Sequence, residues 1–157
     1  MRMQNTKQAQ LLYQHALELY QQEEYGDRFH GDMGNIIISM AGIPFAREQF
    51  EASLQLLQES EPHFRMHGKS SSATEEGQPT QRPHVDLVKC LQHQGMLYRT
   101  MEDFAMAFQK YQEALSVLDG LQIVDLDSES RGLSSTDVEE NRQGLQLDMA
   151  DMLLAMD

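Results

Sequence analysis

The sequence predicts an all-α protein, and three observations predict it. Apolar residues recur at spacings of three and four along most of the chain, which marks one face of a helix. Only four prolines interrupt 157 residues. Gln, Glu, Leu, Met and Ala, which lose little on entering a helix, are plentiful. The length is that of about one domain, enough to bury a core without a disulfide or a metal.

The first periodic segment spans 5–22, with Ala9, Leu12, Tyr13, Ala16, Leu17 and Tyr20 on one face. A second helix fits Asp27 to Met40, its apolar face formed by Phe29, Met33, Ile36, Ile37 and Met40. AGIP at 41–44 breaks that pattern: Gly42 suits a helix end and Pro44 the first turn of the next helix. The third helix carries Phe45, Ala46, Phe50, Leu54 and Leu57, and is expected to stop near Glu59 because Pro62 cannot continue it. Residues 61–83, rich in Ser, Gly, Pro and charge in their later part, read as a flexible insertion. Helix resumes from Val85 to Arg99 through Val88, Leu91, Gly95 and Tyr98, breaks at Thr100–Met101, and continues to about Leu118. An acidic loop over 120–135 follows, and Thr136 with Glu139 has the spacing of a capping box. The last helix, 136–156, would turn Val138, Leu145, Met149, Met152, Leu153 and Met156 inward.

Charge and cysteine content narrow the function classes. A net charge of −13 argues against nucleic acid or an anionic membrane as partner, since both select basic surfaces. From Asp119 to Asp157, ten Asp and Glu face only Arg131 and Arg142, the composition of a solvated segment or of a docking surface for a basic partner. The single cysteine, Cys90, excludes an internal disulfide and suits a reducing compartment. No stretch approaches the length of a membrane span. The first ten residues, MRMQNTKQAQ, lack the apolar core of a signal peptide. A cytoplasmic protein without membrane insertion is the expectation.

The strongest signal is internal repetition. Residues 101–115, MEDFAMAFQKYQEAL, alternate small and aromatic side chains at Phe104, Ala107, Tyr111 and Ala114. Helices approach closely when one offers small residues where the other offers large ones. The same arrangement is read at Ala46 and Phe50, followed by Ser53 and Leu54. Gly34 lies twelve residues before Ala46, as Gly95 lies before Ala107, which sets two helical hairpins at an offset of 61 residues. The template resembles the tetratricopeptide repeat (TPR), a helix–turn–helix unit of about 34 residues. HVDLVKCLQHQGMLYRTMEDFAMAFQKYQEAL is similar to the kinesin-light-chain-like version through Leu91, Gly95, Tyr98, Asp103, Phe104, Ala107, Tyr111, Ala114 and Leu115. The match is good over 84–119 and moderate over 27–59, where Gly34, Ile37, Ala46, Phe50 and Leu54 fit but Gly42-Ile43-Pro44 replaces Gly-Asp-Tyr and Ser53 replaces alanine. Residues 5–22 match only the second helix of a repeat, so that helix is an orphan.

The resemblance implies a single TPR-like domain, a short right-handed solenoid of stacked hairpins with helix 136–156 as its C-terminal cap. It also implies a concave face, lined by the first helix of each pair, that holds an extended peptide or a partner helix. The side chains it would place there are Arg28, Asn35 and Ser39 from one repeat and Lys89, Gln92 and Arg99 from the other. Asn35, directly after Gly34, takes the place where many TPR domains grip a ligand backbone; Met96 takes it in the next repeat. A carboxylate clamp would need more basic residues than this set provides, and the global charge opposes an acidic ligand.

Other chemistry is thin. His63 and His67 stand one helical turn apart and Cys90 and His93 form a C-x-x-H pair, a spacing zinc could use; a buried thiol and exposed histidines are the reading adopted, with no metal and no cofactor. No nucleophile motif or phosphate loop occurs, and scattered carboxylates make no catalytic pair. The expected function is a non-catalytic scaffold that binds a peptide segment or partner helix. The alternative is a structural subunit whose helical stack a neighbouring chain completes. The terminal helix is read as packed on the preceding hairpin, with a reserved partner face as its alternative.

Overall fold

The computed structural model describes residues 2–21, 30–66, 86–125 and 135–156. Among them the chain is all-α: α1 (Arg2–Tyr20), α2 (His30–Phe45), α3 (Phe50–Met66), α4 (Asp86–Thr100), α5 (Phe104–Asp125) and α6 (Ser135–Met156). Two compact units divide the chain, Met1–His84 and Val85–Asp157. In the first, α2 and α3 form an antiparallel hairpin and α1 packs on α2; in the second, α4 and α5 form the hairpin and α6 packs on α5.

The two hairpins share one construction. Each turn ends a helix with a Schellman motif around a glutamate in the left-handed region, Glu48 (φ 58°) and Glu102 (φ 62°). In the first, Gln49 N–H donates to the Pro44 carbonyl and Glu48 N–H to that of Phe45; in the second, Asp103 N–H donates to the Tyr98 carbonyl and Glu102 N–H to that of Arg99. Asp103 then caps α5, its Oδ1 accepting the Met106 N–H at 3.2 Å. Counted from these turns, buried positions of the two hairpins correspond at the helix contact. Ala41 stands where Gly95 does, Ser53 where Ala107, Leu57 where Tyr111, Ser60 where Ala114 and Phe64 where Leu118. Their common offset is 54 residues, seven fewer than the glycine-to-glycine reading gives.

That difference is a register correction. Ala46 is exposed in the turn and Phe50 is only half-buried at the start of α3, so neither packs as Ala107 and Tyr111 do. Seven residues are close to two helical turns, so a slip of seven leaves the apolar stripe on the same face and periodicity cannot detect it. Ser53 substitutes for alanine without an orphaned hydroxyl, because Ser53 Oγ donates to the Ala41 carbonyl at 2.9 Å. Ser60 does the same towards Leu57 at 2.8 Å. Gly34 keeps its role with a different partner. A Cβ there would sit 2.6–2.9 Å from the Phe64 ring, as one at Gly95 would sit 2.7–3.0 Å from Tyr111.

Both prolines lie inside helices, against expectation. α2 runs through Gly42 and Pro44 to Phe45, and α3 runs through Pro62 to Met66. A proline within a helix costs up to about 3 kcal/mol. Continuing past Pro62 carries Phe64 to complete burial over Gly34, a gain of about 1.5–3 kcal/mol of the opposite sign. The Arg65–Glu61 pair at 2.7 Å adds support in the last turn of α3. The first residues of the expected 61–83 insertion, 61–66, are therefore helix, and 67–85 lie outside the described residues. Likewise 120–125 belong to α5, and 126–134 lie outside the described residues. The Thr136 side chain is also outside them, although the helix already starts at Ser135.

α6 packs on α5 through Val138, Leu145 and Met152, all buried, with Met149 half-buried. Leu153 and Met156, expected inward, are exposed, as are Leu147 and Leu154 on the opposite side. In α1 none of the described side chains is buried, and Leu12, expected inward, is 70% exposed.

The glycine contacts give a paired test within α2. Gly34→Ala should destabilise by about 1–3 kcal/mol in urea unfolding, because the Phe64 ring is too rigid to yield. Gly42→Ala, with nothing within 4 Å, should be neutral or stabilising by up to about 1 kcal/mol.

Candidate functional site

The solvent faces of α2 and α4 correspond residue for residue in the corrected register: Asn35 to Lys89, Ser39 to His93, Gly42 to Met96. Asn35 is therefore not the counterpart of Met96, and it stands two helical turns from the position that the resemblance assigns to a ligand-gripping asparagine. Its carbonyl accepts the Ser39 hydroxyl at 2.9 Å, and both residues are exposed. On α4, Lys89 is exposed and pairs with Asp86 at 2.8 Å one turn back, and Gln92 is half-buried. Arg28 lies outside the described residues. The α2 and α4 residues belong to different units, so each set stands by itself.

Arg99 has a different role from the expected one. Its guanidinium reaches α6, lying 3.8 Å from Asp148 and 3.6 Å from Asp151. Arg142 returns the connection from α6 to Asp119 of α5 at 2.7 Å. Half-exposed pairs of this kind contribute little to stability, about 0–1 kcal/mol each. They do orient α6 across the α4–α5 hairpin, and they occupy Arg99. Burial pushes the Asp148 carboxyl up from its ordinary range, opposed by Arg99 and reinforced by Asp151. Beneath this cluster, burial and the charge of Asp148 raise the Tyr111 phenol to about 12, with Arg99 pulling the other way.

Cys90 and His93 do not converge. Cys90 is fully buried, with Gln94 Nε2 donating to its Sγ at 3.6 Å, whereas His93 is exposed. His67 lies outside the described residues. His63 instead faces His30 across the first hairpin, an arrangement that their separation of 33 residues hides in the sequence.

The edge of the first unit carries a cleft and an exposed apolar stripe. A cleft of about 340 Å³ opens between α1, α2 and α3, floored by Met40, Ile43, Pro44, Ala52 and Leu56. Gln10, Gln49 and Gln55 offer amides at its margin, with Arg47 and Glu59 as its charges. Leu12 and Leu19, seven residues apart and 70% and 49% exposed, form an apolar stripe along α1, with Leu11 exposed beside it. The sequence pattern put Leu12 on the apolar face of this helix, and the spacing could not show which part of that face α2 covers.

No protein-family model, curated protein or solved structure matches the chain. Among the described residues no helix is long and apolar enough to cross a membrane. Among the described residues the structure thus defines an all-α protein with two units, each holding a hairpin and one flanking helix.

The Tyr111 phenol supplies a pH test. Its neutral form is favoured in the folded state, so the stabilisation is complete below pH 10 and is lost as pH rises from about 10 to about 12. Urea unfolding across that window should show a loss of about 2 kcal/mol that Tyr111→Phe lacks. Equal slopes for both proteins would contradict the assignment.

Proposed function

We propose that the chain is a non-catalytic protein-interaction scaffold of TPR-like helical hairpins, and that its partner presents a helix. In this reading each unit is one TPR-like hairpin with a flanking helix: α1 corresponds to the second helix of a repeat, and α6 caps the α4–α5 hairpin. The observation that carries it is the exposed Leu12–Leu19 stripe on α1. Among the described residues α1 packs on α2 and buries no side chain, and its Leu12–Leu19 side is exposed, as at the edge of a stack of paired helices. Two leucines buried under a partner helix would contribute about 1.5–3 kcal/mol each, enough to anchor a specific contact.

The residues that the resemblance assigns to a concave face are the second candidate, each unit by itself: Asn35 and Ser39 on α2, Lys89 and Gln92 on α4. Arg99 is less suited to a ligand there, because Asp148 and Asp151 already hold it. The structural-subunit reading differs from the scaffold reading only in permanence, since both use the α1 stripe.

Affinity capture from native cells tests the proposal with two variants. Leu12→Glu/Leu19→Glu should keep the wild-type helical signal and melting temperature but lose the partner. Asn35→Ala/Lys89→Ala should keep it. Recovery of the same partner by the leucine variant would overturn the α1 reading, and its loss only in the second variant would move the site to the concave face.

A further inference from the structure

We infer that His30 and His63 form a two-imidazole site for a divalent borderline cation such as Ni²⁺ or Zn²⁺, closing the open end of the α2–α3 hairpin. His30 is the first residue of α2, and His63 lies in the last turn of α3, at the end of the hairpin far from the Glu48 turn. Their Nδ1 atoms are 3.2 Å apart, both rings are half-buried, and the ring centroids stand 5.4 Å apart with a 40° tilt. The rings therefore meet nitrogen to nitrogen rather than face to face.

The separation suits a shared ion. Two nitrogen ligands on a tetrahedral metal with bonds of about 2.0–2.1 Å lie about 3.3 Å apart. The observed 3.2 Å is at the long end of the hydrogen-bond range and close to that ligand–ligand edge. Imidazole is a preferred donor for Ni²⁺, Cu²⁺ and Zn²⁺. Among the described residues no third thiolate, imidazole or carboxylate joins the pair. A site of this kind binds with modest affinity. Its effect is to tie the first residue of α2 to the last turn of α3, where Phe64 covers Gly34 one residue further on.

The test is thermal unfolding of the full chain at pH 7.5 with Ni²⁺ against EDTA. At a tenfold excess over the dissociation constant, the melting temperature should rise by roughly 3–6 °C. The rise should disappear in His30→Gln and in His63→Gln, and persist in His15→Gln and His67→Gln. Absence of a rise in the wild-type protein would overturn the inference. So would its persistence in His30→Gln, or its loss in His67→Gln, which would assign the ion elsewhere. Should a His30 or His63 variant fail to fold, paramagnetic broadening by Ni²⁺ of the wild-type imidazole NMR signals decides. Broadening confined to His30 and His63 supports the site, and broadening elsewhere or nowhere overturns it.

Discussion

Each hairpin depends on a ring pressed against a glycine backbone. Phe64 lies over Gly34 and Tyr111 over Gly95, both so close that a single added carbon would collide with the ring. Such an approach brings two helices near enough for alanine and serine to fill the rest of the interface, which is why Ala41, Ser53, Ser60, Ala107 and Ala114 are buried between them. The aromatic supplies the apolar area that these small residues lack. The serines keep the interface dry by directing their hydroxyls to helical carbonyls, Ser53 to Ala41 and Ser60 to Leu57.

The two hairpins place that contact differently. Relative to its turn, the glycine–aromatic pair of the first hairpin lies two helical turns farther out than that of the second, and Ala41 with Leu57 takes the inner place. The outer contact holds α3 in helical form beyond Pro62 and brings His63 to His30. The inner contact of the second hairpin places Tyr111 under Arg99 and the α6 acids. One packing device therefore positions both polar clusters. The flanking helices then differ in how much they bury: α6 commits Val138, Leu145 and Met152 to α5, whereas α1 commits nothing fully.

Much of this was legible in the sequence because burial imposes a helical period. All six helices announce themselves through their apolar spacing, and α4 agrees with its sequence limits to within a residue at each end. Gly34, Gly95, Ala107, Tyr111 and Ala114 stand out in the sequence by their spacing, and all are buried, whereas Tyr98 is half-buried. Register was not legible, because a shift of seven residues conserves the face and the match of Gly34 with Gly95 was a persuasive alternative. Helix ends were misread where a proline rule met a stronger tertiary contact, as at Pro62 and Phe64. The candidate site was less legible still. That Leu12 is exposed, that Arg99 is held by Asp148 and Asp151, and that His30 meets His63 are facts of tertiary placement that no local spacing encodes.

The central claim is that α1 is an edge helix whose outer side has no packing partner among the described residues of its own unit. Amide hydrogen exchange of the purified chain measures this directly, helix by helix. The account predicts that α1 amides exchange well before those of α2 to α5, and that they become protected when the partner binds. Protection of α1 equal to that of α2 in the isolated chain would mean that its leucines are already covered, and would contradict the account.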